Sequence, residues 1–266
     1  MKRAAFIGTG SMGGALVRAA CRSIGADQVV IANRTAAKAE ALAAETGCTA
    51  VPDGRAAVEA ARYIFLGVKP HMVKDLLTEL APALDGGKVL VSMAAGLTTE
   101  TLAGWVSAGT PVLRIMPNTP CSIGKGMTAL CAAPGTAEEH LVAVEEILRA
   151  SGRVERLEER LMDAFSAVAG CGPAYVYPFL EAMADGGVLA GLPRKQAVAF
   201  AAQTLLGAAA LVLETGEHPG ALKDAVCSPG GSTIEGVAAL ERHGFRAAVL
   251  DAVEAAWRKN AALGKS

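Results

Sequence analysis

Short apolar runs alternate with amphipathic stretches through the first part of the chain. Arg3 to Ile7, Gln28 to Ala32, Tyr63 to Val68, Lys88 to Ser92 and Pro111 to Met116 read as buried strands. A short strand is expected near Cys48 to Val51. Between the strands, helical periodicity covers Ser11 to Ile24, Ala36 to Thr46 and Arg55 to Ala60, and resumes from Pro70. Met127 to Ala133 and Gly152 to Arg156 read as the last strands, separated by a helix from Glu138 to Ala150. Apolar strands alternating with helices at this spacing predict an α/β fold with a doubly wound parallel sheet over residues 1–156.

From about Leu157 the alternation stops and every long segment has helical character, so a second, all-helical domain is expected over residues 157–266. Its helices run from Leu161 to Ala169, Ala174 to Leu189 and Ala197 to Leu213, the first interrupted by Gly170-Cys171-Gly172-Pro173. The Ala197 to Leu213 helix is apolar on nearly all faces, which requires burial all round. It is interrupted by Gln203 and Thr204 and falls short of the roughly 20 strongly apolar residues of a membrane span. A domain this small can hardly surround one helix by itself. A second copy of the chain is the expected cover, giving a homodimer or higher oligomer.

Composition narrows the classes. The chain has 266 residues, 52% of them hydrophobic, enough for a sizeable core. A net charge of -1 gives no electrostatic case for nucleic acid or an anionic membrane surface. The six cysteines show no C-x-x-C pair and no metal-ligand spacing, so no metal is expected and the thiols read as free and reduced, as in the cytoplasm. The apolar start after Lys2 and Arg3 is too short for a signal peptide and is accounted for as the first strand.

The candidate chemistry starts at Phe6-Ile7-Gly8-Thr9-Gly10-Ser11-Met12-Gly13. The glycines fall at G-x-G-x-x-G spacing between a strand and a helix, the Rossmann-type context for a dinucleotide pyrophosphate. The helix N-terminus adds free N–H groups and a partial positive charge. About 20 residues on, where an acid commonly meets the ribose 2′-OH of NAD, the chain has Asn33-Arg34-Thr35 and no acid. Arg34 can pair with a 2′-phosphate, and Asn33 and Thr35 can hydrogen-bond it, which favours NADPH and leaves NADH admissible. Residues just past later strands also point at the cofactor: Val68-Lys69-Pro70, and Met93-Ala94-Ala95-Gly96, small residues that would let a flat nicotinamide ring approach the backbone. Asn118, held between Pro117 and Pro120, is a further candidate contact.

Further on, Ser228-Pro229-Gly230-Gly231 cannot stay helical, and Ser232 with Glu235 matches a capping box. A small-residue loop then delivers free N–H groups at a helix start, a site sized for a carboxylate. The hydroxyls of Ser228, Ser232 and Thr233 add to it.

These residues together resemble the pyrroline-5-carboxylate reductase family. The resemblance is carried by Leu222-Lys223-Asp224 and Val226, by Ser228 to Thr233, by Leu240-Glu241, and by Gly172-Pro173-Ala174-Tyr175, Val68-Lys69-Pro70 and Met116-Pro117-Asn118-Thr119-Pro120. It implies a Rossmann-type domain followed by a helical domain interlocked with that of a second subunit, and NAD(P)H as hydride donor. It implies cofactor contacts from Ile7 to Met12, Asn33, Arg34, Val68 to Pro70 and Met93 to Ala95, and substrate contacts from Ser232 and Thr233. Two positions depart from the pattern: Gly54 stands where relatives often carry asparagine, and so does Ala225.

The implied reaction reduces a cyclic imine to a secondary amine, 1-pyrroline-5-carboxylate to L-proline. No Lys–His or Asp–His acid–base pair stands in the helical domain. Thr233 is therefore expected to hydrogen-bond the ring nitrogen, with protons otherwise from water. Glu159 is a weaker candidate for holding an iminium. The rivals are a broader imine reductase, a β-hydroxyacid dehydrogenase, and a non-catalytic NADP-sensing module. The dehydrogenase needs a lysine early in the helix that reads Pro173-Ala174-Tyr175-Val176-Tyr177-Pro178, and none is there.

Overall fold

The computed structural model describes residues 1–84 and 87–263. Its strands are β1 (Lys2–Ile7), β2 (Val29–Ala32), β3 (Thr49–Ala50), β4 (Ala61–Leu66), β5 (Val89–Ser92), β6 (Val112–Pro117), β7 (Gly126–Ala132) and β8 (Gly152–Arg156). They form one eight-stranded sheet in the order β3-β2-β1-β4-β5-β6-β7-β8. Strand order reverses beside β1, so its carboxyl end and that of β4 flank the topological switch point where such sheets bind ligands.

One pairing differs from the expected all-parallel sheet: β7 runs antiparallel to β6. A parallel return needs a crossover of about a dozen residues or more. The link here is a 3-10 turn, Thr119–Ile123, which only allows the chain to double back.

Helices α1 (Ser11–Ile24), α2 (Ala36–Thr46), α3 (Gly54–Ala60), α4 (Pro70–Leu80), α5 (Thr99–Ala103) and α6 (Glu138–Leu148) cover both faces of the sheet. Side chains alternate along each strand, so β1 sends Ala4 and Phe6 into one core and Ala5 and Ile7 into the other. The first core joins Phe6 and Phe65, stacked with centroids 4.5 Å apart, to α1 and α6 through Leu16, Val17, Val144 and Ile147. The second joins Ile7, Ile64 and Leu66 to α4 through Val73, Leu77 and Leu80. Burying each such side chain stabilises the fold by about 1.5–3 kcal/mol. The fully apolar strands noted in the sequence follow from this double coverage.

The next stretch is shorter-stepped than the periodicity implied. It holds α7 (Met162–Phe165) and one π-helical turn, Ser166–Gly170, closed by Cys171 N–H to Ser166 C=O at 2.8 Å. By compactness the chain divides between Cys171 and Gly172, and residues 256–263 return to the first unit, where Asn260 donates to the Asp163 carbonyl at 3.3 Å.

The second unit contains α8 (Gly172–Leu189), α9 (Arg194–Thr215), α10 (Pro219–Ala225), α11 (Ser232–Arg242) and most of α12 (Phe245–Leu263). Helices α8 and α9 pack closely through Ala184, Ala197 and Ala201, with Leu180 and Val188 at the margin. The all-round burial expected of α9 is not met within one chain. Only Ala197 and Ala201 are buried, while Phe200, Leu206, Leu211 and Leu213 are exposed. Among the described residues α9 is also the one helix long and apolar enough to cross a membrane. All six cysteines are free.

Candidate active site

Residues singled out in the first unit gather along one edge of the sheet. Ile7 aligns with Ala32 of β2 and Leu66 of β4, and Leu66 with Ser92 of β5, so the chain leaves these strands at one level. Immediately past them lie Gly8, Asn33, Gly67-Val68 and Met93.

Backbone geometry explains the glycines. Gly8 has φ +94° and donates its N–H to Ala32 C=O at 2.9 Å. A Cβ on Gly13 would overlap the Gly8 carbonyl oxygen, so α1 can pack this closely only with glycine there. Gly10 has no atom within 4 Å of where a Cβ would stand, which leaves its outer face open to a ligand. It is also the N-cap of α1 and makes no side-chain cap, so the first-turn N–H groups keep their hydrogen-bonding capacity. The Thr9 hydroxyl is buried without a partner at the same turn. An open cleft of about 400 Å³ runs beside it, lined by Thr9, Gly10, Ser11, Arg18 and Lys38 among others. An open glycine, free helix N–H groups and an orphaned hydroxyl fit a dinucleotide pyrophosphate.

The structure gives Asn33 a second task within the Asn33-Arg34-Thr35 turn. The Asn33 amide is engaged: Oδ1 accepts from Thr9 N–H and Nδ2 donates to the Thr35 carbonyl, each at 3.2 Å. It braces the glycine turn with one Nδ2–H and the carbonyl oxygen, and the second Nδ2–H remains available to a phosphate. Arg34 is exposed and makes no ion pair among the described residues. Sequence reading passed over Lys38 and Arg18. Lys38 lies in the first turn of α2 just past Arg34, a position that could have drawn notice. Arg18 is held by Glu45 through two bonds of 2.6 Å, which only the fold reveals.

Val68 packs on the turn, its Cγ1 standing 3.0 Å from where a Gly8 Cβ would be. Lys69 is the exposed N-cap of α4, and Pro70 occupies the first turn. Met93 N–H bonds Leu66 C=O at 3.2 Å, Ala94 N–H bonds Ser92 Oγ at 3.2 Å, and Ala95 is exposed.

Two candidates have internal work instead. Asn118 is buried, accepts from Met127 N–H at 2.9 Å and donates to Ala169 C=O at 3.0 Å. With both ends of its amide engaged, it fastens the β6 exit to β7 and to the π-helical turn, and its expected cofactor contact is not supported. Glu159 accepts from Thr99 N–H at 2.7 Å, Thr99 Oγ1 at 2.6 Å and Arg114 Nη1 at 2.5 Å. Burial works against its carboxylate, but the bonds from Thr99 and Arg114 outweigh that and hold its pKa below the usual carboxylate range. A carboxylate so engaged is not free to hold an iminium.

The small-residue loop belongs to the second unit. Gly230 has φ +68° and nothing within 4 Å of its Cβ position. Gly231 N–H bonds Ser228 C=O at 3.0 Å. The capping-box reading is corrected: α11 has Gly231 as N-cap, with no side-chain cap bond, and Ser232 is its first residue. Its first-turn N–H groups are left without intrahelical acceptors. Ser228, Ser232 and Thr233 are all exposed. The absence of a side-chain cap strengthens the anion-site reading, because no hydroxyl competes for those donors.

This arrangement can be set beside known proteins. The pyrroline-5-carboxylate reductase of Escherichia coli (strain K12) is 41% identical over 267 residues, covering 100% of this chain and 99% of that one. The chain belongs to the pyrroline-5-carboxylate reductase family. Residues 159–263 match the family model for pyrroline-5-carboxylate reductase dimerisation, and residues 3–96 match that for NADP oxidoreductase, coenzyme F420-dependent. Among solved structures, the pyrroline-5-carboxylate reductase of Coxiella burnetii has a TM-score of 0.92 at 30% identity, over 100% of this chain and 99% of that one. The Plasmodium falciparum pyrroline carboxylate reductase with NADP bound has a TM-score of 0.88 at 30% identity, over 99% and 98%. The similarity to the Escherichia coli reductase extends over a span that includes both the glycine turn and the Ser228 to Thr233 loop.

Proposed function

We propose that this protein is an NAD(P)H-dependent pyrroline-5-carboxylate reductase, reducing 1-pyrroline-5-carboxylate to L-proline in the last step of proline synthesis. The observation that carries the reading is end-to-end identity of 41% with a reductase, spanning every motif described above. NADPH, when bound, supplies the hydride that reduces the C=N bond.

The chain's own residues bind and orient. The open backbone at Gly10 and the first-turn N–H groups of α1 hold the pyrophosphate, and Arg34 pairs with the 2′-phosphate, which favours NADPH over NADH. Val68, Lys69 and the Met93 to Ala95 turn line the rest of the cofactor. In the second unit, the N-terminus of α11 and the hydroxyls of Ser228 and Ser232 hold the substrate carboxylate. Glycine at 230 and 231 keeps side chains out of that space. The Thr233 hydroxyl bonds the ring nitrogen, and protons otherwise come from water. The cofactor site is assigned within residues 1–156, and the substrate and dimerisation functions within the part of the chain that follows.

The exposed apolar residues of α9 support self-association as a homodimer, in which the partner's surface covers them. A cytoplasmic setting fits six free thiols.

A steady-state assay tests the reading. NADPH oxidation by the folded protein should depend on pyrroline-5-carboxylate and yield proline mole for mole. NADPH loss no faster than background would refute it.

A further inference from the structure

Leu66, Ser92, Arg114 and Cys131 pair in that order across β4, β5, β6 and β7. Ser92 and Arg114 thus stand side by side on two strands, β5 and β6, whose other residues are apolar. Ser92 is fully buried and its Oγ accepts the Ala94 N–H. Arg114, only 5% exposed, reaches Glu159, whose carboxylate takes both the N–H and the hydroxyl of Thr99. Thr99 is itself buried and is the first residue of α5.

The consequence is a loop fastened at both ends to neighbouring sheet positions. At one end Met93 and Ala94 are tied to Leu66 and Ser92. At the other, Thr99 is tied through Glu159 to Arg114. Arg114 is buried while the Glu159 side chain keeps 29% of its surface exposed, and burying even one end of an ion pair is expensive, where apolar side chains of similar volume commonly hold a fold as well or better. Here the Arg114 Nε is also buried without a partner, a further cost. What such a cluster provides and apolar packing does not is direction: each carboxylate oxygen has assigned donors, so the start of α5 is located to within hydrogen-bond tolerance. Burial also pushes the neighbouring Cys131 thiol up to about 11, which keeps a second anion out of the cluster.

We propose that Glu159, held by Arg114, is the positioning residue of the 93–98 loop and sets how closely that loop's backbone meets the nicotinamide end of NADPH. This rests on the cofactor reading above. It gives Glu159 a role in the first unit, acting through Thr99, in place of contact with an iminium.

The test compares two ligands by calorimetric titration: NADPH, and 2′-phospho-ADP-ribose, which lacks the nicotinamide. Glu159→Ala should weaken NADPH binding by about tenfold, the scale of one charge-assisted hydrogen bond. It should leave 2′-phospho-ADP-ribose binding unchanged. Thr99→Val keeps the backbone bond and loses only the hydroxyl. It should fold normally and show a smaller loss, again for NADPH alone. Glu159→Asp, which keeps the charge, should recover part of the affinity lost in Glu159→Ala. Equal weakening of both ligands, or unchanged NADPH binding in Thr99→Val and Glu159→Ala, would overturn the proposal. A wild-type protein that binds neither ligand would overturn the cofactor reading and this inference together. Wild-type NADPH binding without imine reduction would overturn the functional reading alone.

Discussion

Gly67 donates its N–H to Ile7 C=O at 2.8 Å, and this brings it so near Gly8 that a Cβ on Gly67 would overlap the Gly8 carbonyl oxygen. The close approach joins the ends of β1 and β4 at the switch point. Replacing Gly67 with alanine must push that carbonyl, and the turn beyond it, out of place. Overpacking of this kind costs about 1–3 kcal/mol. Gly67→Ala should therefore lower the melting temperature and weaken NADPH binding together, read by thermal unfolding with and without cofactor. Unchanged stability and affinity would mean that the turn relaxes freely.

Much of this was legible in the sequence. Apolar runs located β2, β4, β5 and β6 because strands buried on both faces carry no polar alternation to confuse them. The antiparallel β7 was missed because strand direction depends on connection length, and the Thr119–Ile123 turn had been read only as a rigid corner around Asn118. An amide at a strand end invites a ligand-contact reading, and the bracing bonds of Asn33 and Asn118 are not visible in the sequence. The partners Thr9 and Ala169 lie 24 and 51 residues away, and Met127 comes back only through the Thr119–Ile123 turn. Glu159 was hidden in the same way, since Thr99 and Arg114 lie 60 and 45 residues from it.

On the proposed reading, cofactor choice turns on Arg34. It is exposed and carries no competing ion pair among the described residues, so its guanidinium is free for a 2′-phosphate. Arg34→Ala should raise the KM for NADPH while leaving that for NADH nearly unchanged. The loss of one charge-assisted contact is about 1.5–3 kcal/mol. Steady-state kinetics with both cofactors gives the answer, and equal effects would remove Arg34 as the phosphate reader.

Assembly turns on α9. Phe200 and Leu206 are 56% and 55% exposed in a single chain, too much apolar surface for a helix of this length to leave in water. Phe200→Glu or Leu206→Glu should shift sedimentation from dimer toward monomer. A wild-type protein that sediments as a monomer at micromolar concentration would refute burial by a second copy.

The Glu159 cluster also sets a pH dependence. Its folded pKa lies below the ordinary value of 4.5, so it contributes stability above that value and loses it as pH falls through the folded pKa. Glu159→Gln removes the ionisable group. Its stability deficit, measured by urea unfolding, should be full at neutral pH and shrink as the pH is lowered below about 4.5. A deficit independent of pH would show that the carboxylate's charge is not what holds Thr99 and Arg114.

The substrate loop allows the sharpest separation of roles. Gly231 is the N-cap of α11, and a Cβ there would stand 3.2 Å from both the carbonyl oxygen and the hydroxyl of Ser228. Gly231→Val should therefore crowd the loop proposed to hold the carboxylate and raise the KM for the imine. Thr233 is exposed in the first turn, and its hydroxyl makes no bond among the described residues. Thr233→Val keeps shape and β-branching but removes the donor offered to the ring nitrogen. If that bond strengthens as the nitrogen becomes an amine, kcat falls with little change in KM. A loss of about 1–3 kcal/mol is the scale for one polar group left without its partner. NADPH affinity should be untouched in both variants. Wild-type turnover in Thr233→Val would reduce Thr233 to a helix-start residue and leave ring-nitrogen protonation to water alone.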